Sequence, residues 1–183
     1  THQTFWWTFN ESLAAESMQD IKPALESLSE FRLGELEDLI FPFKEMGSIN
    51  SLHLFGLDEL ILFAFYWVNR NRYSKVLDLG ANIGLHTAIL FKMGYSVTSF
   101  EPDPNHMEEL FSNLVRNDLP ISGLIQKAVT VDGSDVEFIR VLGNTTGSHV
   151  AGAKADPYGD LDKFIVESTS IAEAVSTADL VKM

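Results

Sequence analysis

Two carboxylates and the glycine-containing loop between them are the residues of this sequence best suited to bind a ligand. Asp78 lies near the end of an apolar segment, and the turn Gly80–Gly84 follows it. Glu101 comes at the end of the next apolar segment, within Phe100–Asp103. A sharp turn between a strand and a helix directs backbone N–H groups and a helix N-terminus toward a ligand. The order of these residues therefore predicts a site for a nucleotide-like cofactor.

The residue types in the loop narrow the choice of ligand. Gly80 lets the backbone turn and lets a ligand approach closely. Asn82 stands where many nucleotide-binding loops have glycine, and Asn tolerates a positive φ better than most residues. Gly84 is expected to let the helix pack closely against the strand. Asp78 is the discriminating residue, because its carboxylate can hold a ligand amino group but repels a pyrophosphate.

Glu101 predicts recognition of a ribose. A carboxylate at the tip of the second strand can accept hydrogen bonds from both ribose hydroxyls. Since this requires a free 2′-hydroxyl, Glu101 favours an adenosine-type cofactor with an unphosphorylated ribose. The alternative is a tight turn beside a surface glutamate with no ligand. That alternative does not explain why Asp78, the loop and Glu101 occur in this order.

Alternating strands and helices are predicted to position these residues. The predicted strands are Lys75–Leu79, Ser96–Phe100 and Leu124–Val129, and the predicted helices are Ile83–Met93 and Asn105–Asn117. Strands separated by helices of this length indicate an α/β fold with a parallel sheet and right-handed crossovers.

The predicted alternation of strands and helices ends after Val129. An Asp-Gly turn predicts a hairpin over Val129–Leu142. The remaining predictions are a mobile loop over Gly143–Asp160, an edge strand at Lys163–Val166, a short helix at Ser170–Val175 and the start of a buried strand at Ala178–Met183.

Residues 1–72 are predicted to form a helical extension that packs on the core, and residues 73–183 a partial cofactor-binding domain. Pro23 suits the first turn of a helix running through Phe31. Leu57–Asn69 is apolar on nearly all sides, so this helix is expected to be buried.

Charge and composition exclude several classes of partner. The chain has 26 acidic and 13 basic side chains, a formal net charge of −13. Such a surface repels nucleic acid and anionic lipid, so neither is a predicted partner. The sequence has no cysteine, which excludes disulfides and thiolate metal sites and fits a cytoplasmic location. No apolar stretch approaches the length of about 20 residues that a membrane span requires.

The segments Asp78–Gly84, Phe100–Asp103 and Asn113–Asn117 together resemble the FkbM family of S-adenosylmethionine-dependent methyltransferases. In that family an Asp-x-Gly-Ala-Asn-x-Gly loop is followed by a Phe-Glu-Pro strand end and an Asn-rich helix end. The resemblance runs from about Leu52 to the last residue. It implies a class I (Rossmann-like) methyltransferase fold with helices on both faces of the sheet and S-adenosylmethionine as methyl donor. It also implies transfer to a hydroxyl oxygen of a small-molecule or saccharide acceptor, often a sugar or a natural product.

The resemblance also assigns site residues by position. The methionine end of the cofactor falls to the loop, the ribose to Glu101 and the surroundings of adenine to Ala128, while His86 and Thr87 begin the helix that could touch the cofactor's carboxylate. No catalytic base can be named. The predicted cofactor-binding residues are Asp78, Gly80, Ala81, Asn82, Gly84, Thr87, Glu101, Pro102 and Ala128.

Members of the family continue beyond the Lys182–Met183 pair with an acidic, glycine-containing segment and further strands. A truncated chain that lacks the back half of the sheet is therefore expected, with weak cofactor binding and no catalysis. Its last strand would present an unpaired edge. Pairing of that edge with a second copy predicts a homo-oligomer.

Two other functions are compatible with parts of the pattern. A nicotinamide-dependent oxidoreductase also uses a glycine loop and an acid after the second strand, but Asp78 and the loop spacing count against it. A non-catalytic nucleotide-binding scaffold is the other alternative.

His53, His86, His106 and His149 are scattered without ligand spacing, so no metal site is predicted. Asp156–Tyr158 resembles the Asp-Pro-Pro-Tyr signature of amino-group methyltransferases but is better explained as an Asp-Pro turn.

Overall fold

The computed structural model describes residues 30–32, 39–42, 44–46, 50–51, 54, 56–154 and 159–183. Short 3-10 turns occur at Thr145–Gly147 and Val175–Thr177. In chain order the other elements are β1 (Glu30–Arg32), β2 (Ile40–Pro42), α1 (Leu57–Asn69), β3 (Lys75–Leu79), α2 (Leu85–Lys92), β4 (Ser96–Phe100), α3 (Pro104–Arg116), β5 (Leu124–Ile125), β6 (Ala128–Thr130), β7 (Val136–Val141), β8 (His149–Val150), β9 (Leu161–Val166), β10 (Ser168–Ser170), α4 (Ile171–Ala174) and β11 (Leu180–Lys182).

A four-stranded parallel sheet lies at the centre of the described structure. Its strand order is β11-β3-β4-β5, and each pair of neighbours is parallel. Helix α2 connects β3 to β4, and α3 connects β4 to β5, as parallel neighbours require. This mixed α/β arrangement confirms the predicted parallel sheet and is compatible with a Rossmann-like methyltransferase fold.

Apolar side chains cover both faces of the central sheet. Val76 and Val97 belong to a cluster formed with residues of α1, α2 and α3. Leu77 and Phe100 belong to a second cluster, which includes Ala174 of α4. Because successive side chains of a strand point to opposite faces, the two clusters lie on opposite sides of the sheet.

The N-terminal extension is not wholly helical as predicted. Strands β1 and β2 pair antiparallel with Phe31 opposite Phe41, so Phe31 lies in a strand and not in the helix predicted from Pro23. Residues 1–29 lie outside the described residues. Asn117, at the end of α3, bonds both the N–H and the carbonyl oxygen of Ile40 and so fastens β2 to the core. The predicted division after residue 72 stays a prediction.

Helix α1 begins and ends where the sequence predicts, but the prediction that it is buried is wrong. Only Phe63 and Tyr66 are buried, so the helix meets the core along one narrow stripe. The exposed large apolar side chains of α1 are Leu60, Ile61, Leu62, Phe65, Trp67 and Val68. Among the described residues, no helix has the length and apolar content needed to cross a membrane.

The predicted third strand is divided between two sheets. Strand β5 extends the central sheet, whereas β6 pairs in parallel with β10. The hairpin predicted over Val129–Leu142 is wrong, because β7 lies between β8 and β9 in a separate antiparallel sheet. The Asp-Gly turn is closed locally by the Thr130 hydroxyl, which accepts from the Gly133 N–H, and the edge of β6 is taken by β10.

The C-terminal predictions are met in part. The predicted edge strand corresponds to β9, at the edge of the antiparallel sheet. The predicted loop Gly143–Asp160 contains β8 and a 3-10 turn, and residues 155–158, with the predicted Asp-Pro turn, lie outside the described residues. Strand β11 forms as predicted but is not buried, since Val181 is 38% exposed.

Candidate functional site

The loop after β3 adopts the backbone that its residue types predict. Gly80, Asn82 and Gly84 have φ values of 71°, 53° and 88°. The Gly80 and Ala81 N–H groups both donate to the carbonyl oxygen of Phe100, at 2.9 and 3.0 Å. The loop is therefore held against the carboxyl end of β4, which Glu101 follows directly.

Gly84 permits a close packing contact, although with a different neighbour from the one predicted. A Cβ atom built on Gly84 would lie 2.7 Å from Cδ1 of Leu110. Leu110 belongs to α3 and is fully buried. The absence of a side chain thus lets the start of α2 approach α3, while α2 also contacts β3.

Glu101 is a buried carboxylate that closes the loop. Its Oε2 accepts from the Asn82 N–H at 2.7 Å, and its Oε1 accepts from the Asp103 N–H at 2.9 Å. Burial raises the pKa of Glu101 to about 7, with nearby Asp103 and Asp78 acting in the same direction against the two backbone hydrogen bonds. Its charge therefore changes near neutral pH.

Arg140 of β7 binds Asp103, which lies two residues after Glu101. Its Nε and Nη2 donate to the two oxygens of Asp103, at 2.7 and 2.6 Å, and its Nη1 donates to Asp162 at 3.0 Å. Burial alone would raise the pKa of Asp103, but the Arg140 guanidinium holds it below its usual range. The guanidinium also lies over the Phe164 ring. Arg140 therefore fastens the antiparallel sheet to the end of β4.

A cavity of about 560 Å³ opens beside Glu101, at the carboxyl ends of β3 and β4. Five of the predicted residues line it: Gly80, Asn82, Glu101, Pro102 and Ala128. The other lining residues include the apolar side chains Val129, Phe138 and Val150 and the polar side chains His106, Lys127, Thr145, Thr146, Ser148 and His149.

The other four predicted residues, Asp78, Ala81, Gly84 and Thr87, do not line the cavity. Asp78 is fully buried and accepts from the Thr87 hydroxyl at 2.7 Å. Lys182 of β11 places its Nζ 3.0 Å from Asp78 Oδ1 and donates to the Gly80 carbonyl oxygen. An ammonium group of the chain itself thus stands beside Asp78, where a ligand amino group was predicted. A binding role for these four residues stays a prediction.

The histidines take separate positions. His86 contacts Glu59 through Nε2 at 2.7 Å and the Tyr66 hydroxyl through Nδ1 at 3.0 Å, so both ring nitrogens are engaged in joining α1 to α2. His106 of α3 is buried with its Nδ1 3.8 Å from Glu101 Oε1, and burial lowers its pKa. His149 lines the cavity, and His53 lies outside the described residues. No group of three or more possible metal ligands occurs in the part of the chain that the structure describes.

Several residues at the site were not predicted from the sequence, among them Phe138 and Val150. They reach the cavity, together with His149 of the predicted loop Gly143–Asp160, because β7 and β8 fold back toward β4. Phe138 and Val150 are partners in this pairing. Their sequence signal is only an alternating strand followed by a Gly- and Thr-containing segment, which does not specify where the strand docks.

The chain has limited similarity to known proteins. No protein-family model and no curated protein sequence matches it, so membership of the FkbM family stays a prediction. Among solved structures, it is similar to an S-adenosylmethionine-dependent methyltransferase from Agrobacterium tumefaciens, with a TM-score of 0.35 and 17% identity. The similarity covers 39% of this chain and 24% of that methyltransferase, so the chain spans about a quarter of its length.

Proposed function

We propose that this chain binds S-adenosylmethionine in the cavity beside Glu101 and serves a methyltransferase whose acceptor is a hydroxyl group of a small molecule or saccharide. The observation that carries the proposal is the buried Glu101 carboxylate at the carboxyl end of β4, joined to the loop after β3 and lining the cavity. Crevices at the carboxyl ends of parallel strands are the usual ligand sites of such sheets.

The lining residues suit the three parts of an adenosine cofactor. Glu101 can accept from the ribose hydroxyls, and hydrogen bonds to a charged acceptor are stronger than neutral ones. Pro102, Ala128 and Phe138 offer apolar contact to a flat base. Gly80 and Asn82 lie on the loop side, where the amino-acid end would extend.

S-adenosylmethionine supplies an electrophilic methyl group on its sulfonium, so the protein's task is chiefly to align donor and acceptor. In this proposal Glu101 fixes the ribose and the loop fixes the neighbouring chain of the cofactor. The buried partners of the loop, Asp78 with Thr87 and Gly84 with Leu110, keep it in place. No described residue is assigned as a general base.

Titration with two cofactors separates this proposal from the nicotinamide alternative. We expect saturable binding of S-adenosylhomocysteine and no measurable binding of NAD⁺ in isothermal titration of the same preparation. The reverse order of affinities would favour an oxidoreductase. A non-catalytic scaffold would bind S-adenosylhomocysteine equally well and would differ only in transferring no methyl group.

The pH dependence of binding is a second expectation. Ribose hydroxyls donate to the ionised carboxylate, and the pKa of Glu101 is raised to about 7. The affinity for S-adenosylhomocysteine should therefore rise about tenfold between pH 6 and pH 8, as the ionised fraction grows from about one tenth to about nine tenths. Binding should release a proton near pH 7, which titration in buffers of different ionisation enthalpy measures.

Two variants show whether Glu101 is the source of that dependence. Glu101→Gln should bind more weakly at pH 8 and lose the rise in affinity. Glu137→Gln, a change at an exposed carboxylate of β7, should keep it. The neighbours of Glu101 are the carboxylates of Asp103 and Asp78 and the imidazole of His106, whose pKa burial lowers. A slope that survives in Glu101→Gln would assign it to one of those neighbours instead.

A further inference from the structure

His106 is a mostly buried histidine beside Glu101 whose ring nitrogens have no hydrogen-bond partner among the described residues. It lies in α3, is 8% exposed and lines the cavity at the carboxyl ends of β3 and β4. Neither ring nitrogen belongs to the completely enclosed unpaired atoms of the described chain, so both keep some access to solvent. Because buried polar groups are nearly always hydrogen-bonded, this side chain is suited to bind a polar group that arrives with a ligand.

The position of Glu101 shows which nitrogen of His106 lies on the side of the proposed ribose site. A second cavity, of about 410 Å³, adjoins the first, and His106 is part of both walls. Glu101 lines the first cavity and not the second. Since His106 Nδ1 lies 3.8 Å from Glu101 Oε1, Nδ1 is the nitrogen on the side of the first cavity.

The protonation of His106 follows from its surroundings. Burial lowers the pKa of His106, although Asp103 acts in the opposite direction, so the imidazole is neutral at pH 8. A neutral imidazole carries one N–H, on either nitrogen. Because Nδ1 faces a carboxylate oxygen of Glu101, the tautomer with the proton on Nδ1 is favoured. His106 therefore turns a donor toward the carboxylate.

The gap between His106 Nδ1 and Glu101 Oε1 has the size that one bridging hydroxyl group requires. At 3.8 Å it is too long for a direct hydrogen bond, whose N···O distance is about 2.7–3.2 Å. A hydroxyl oxygen about 2.8 Å from both atoms can donate its proton to the carboxylate and accept the proton of Nδ1. The pair therefore recognises a group that is donor and acceptor at once, as a ribose hydroxyl is.

We propose that His106 is a second ribose-binding residue, whose Nδ1 donates to the same ribose hydroxyl that donates to Glu101 Oε1. This rests on the proposed adenosine cofactor. The other ribose hydroxyl then falls to Glu101 Oε2, beside the Asn82 N–H. One hydroxyl is thus bound by two side chains and the other by one, so the site selects more strongly for the first.

Isothermal titration at pH 8 tests this with S-adenosylhomocysteine and its 2′-deoxy and 3′-deoxy analogues, since Glu101 is ionised and His106 neutral at that pH. The wild type should bind one deoxy analogue about fivefold more weakly than the other, the effect of one hydrogen bond. His106→Phe keeps a flat ring and removes the donor. It should weaken S-adenosylhomocysteine about fivefold, weaken the analogue that keeps the bridging hydroxyl equally, and leave the affinity for the other analogue unchanged.

Two further variants separate this contact from an effect on the structure of α3. His106→Asn places an amide donor near the position of Nδ1 and should recover most of the affinity for S-adenosylhomocysteine. Glu108→Gln, at an exposed residue of the same helical turn, should leave all three affinities as they are in the wild type. A disturbed helix would instead weaken the three ligands by the same factor.

Each outcome bears on His106 separately from the proposed function. Equal affinity of the wild type for the two deoxy analogues overturns the role of His106 and leaves the adenosine site in place, and this comparison needs no variant to fold. A His106→Phe variant that is folded by circular dichroism and weakens all three ligands alike, or none of them, also overturns it. Failure of the wild type to bind S-adenosylhomocysteine overturns the adenosine site and the role of His106 together.

Discussion

Replacement of Arg140 by methionine is expected to lower the free energy of unfolding by about 3–5 kcal/mol, because it leaves a buried carboxylate without its cation. Asp103 is 0% exposed, and Arg140 donates to both of its oxygens. Methionine preserves much of the apolar length of the side chain but not its charge. Urea unfolding followed by circular dichroism measures the loss.

The design of two further variants isolates the buried charge. Lys163→Met removes a cation from an exposed pair, with Nζ 3.8 Å from Glu137, and should change stability by less than about 0.5 kcal/mol. Asp103 is also the N-cap of α3, where its Oδ1 accepts from the Asn105 N–H at 2.9 Å. The double variant Arg140→Met/Asp103→Asn should recover part of the loss, since Asn can cap the helix as well and carries no charge. If Arg140→Met costs no more than Lys163→Met, Arg140 does not fasten the antiparallel sheet to β4.

Replacement of Gly84 by alanine is expected to lower the free energy of unfolding by about 2–4 kcal/mol. Two costs combine: the positive φ of 88°, which disfavours a side chain, and the contact at 2.7 Å with Leu110. Leu110 is fully buried in α3 and has little room to move away. The loss should appear in urea unfolding and should be accompanied by weaker ligand binding, because the loop after β3 shifts.

Gly94→Ala is the matched control. Gly94 has a φ of 90°, and no atom lies within 4 Å of a Cβ built there. It should therefore cost only the backbone term, about 1–2 kcal/mol. Equal losses for the two variants would show that α2 and α3 tolerate a methyl group between them, against the packing described for Gly84.

The sequence predicts best what short-range chemistry decides. The loop conformation follows from residue types, since Gly80, Asn82 and Gly84 all take a positive φ, which glycine and asparagine tolerate. Helix α1 has the predicted bounds because its ends carry local signals, with Gly56 at the start. Glu101 lies at the predicted strand end, beside the loop, because parallel neighbours place their carboxyl ends together.

What sequence reasoning could not provide are contacts between distant segments. The exposure of α1 depends on how many layers pack against it, and a helix that is apolar on all sides does not reveal that. The pairing of β6 with β10 in place of a hairpin depends on a strand that follows 38 residues later, as the Thr130 and Ser168 hydroxyls show. Arg140 and Asp103 are separated by 37 residues, and no sequence pattern around either residue predicts the ion pair.

The most direct test of the adenosine site is the amide spectrum of ¹⁵N-labelled protein titrated with S-adenosylhomocysteine. Asn82 and Asp103 donate their backbone N–H groups to Glu101, so ribose hydroxyls binding that carboxylate must alter both amide environments. Ser74 and Lys75 donate to Asp179 at the opposite end of β3 and serve as reference amides. We expect saturable shifts of the Asn82 and Asp103 resonances, with the reference resonances unchanged. Saturable binding that leaves Asn82 and Asp103 unmoved, or no binding at all, would contradict the adenosine site.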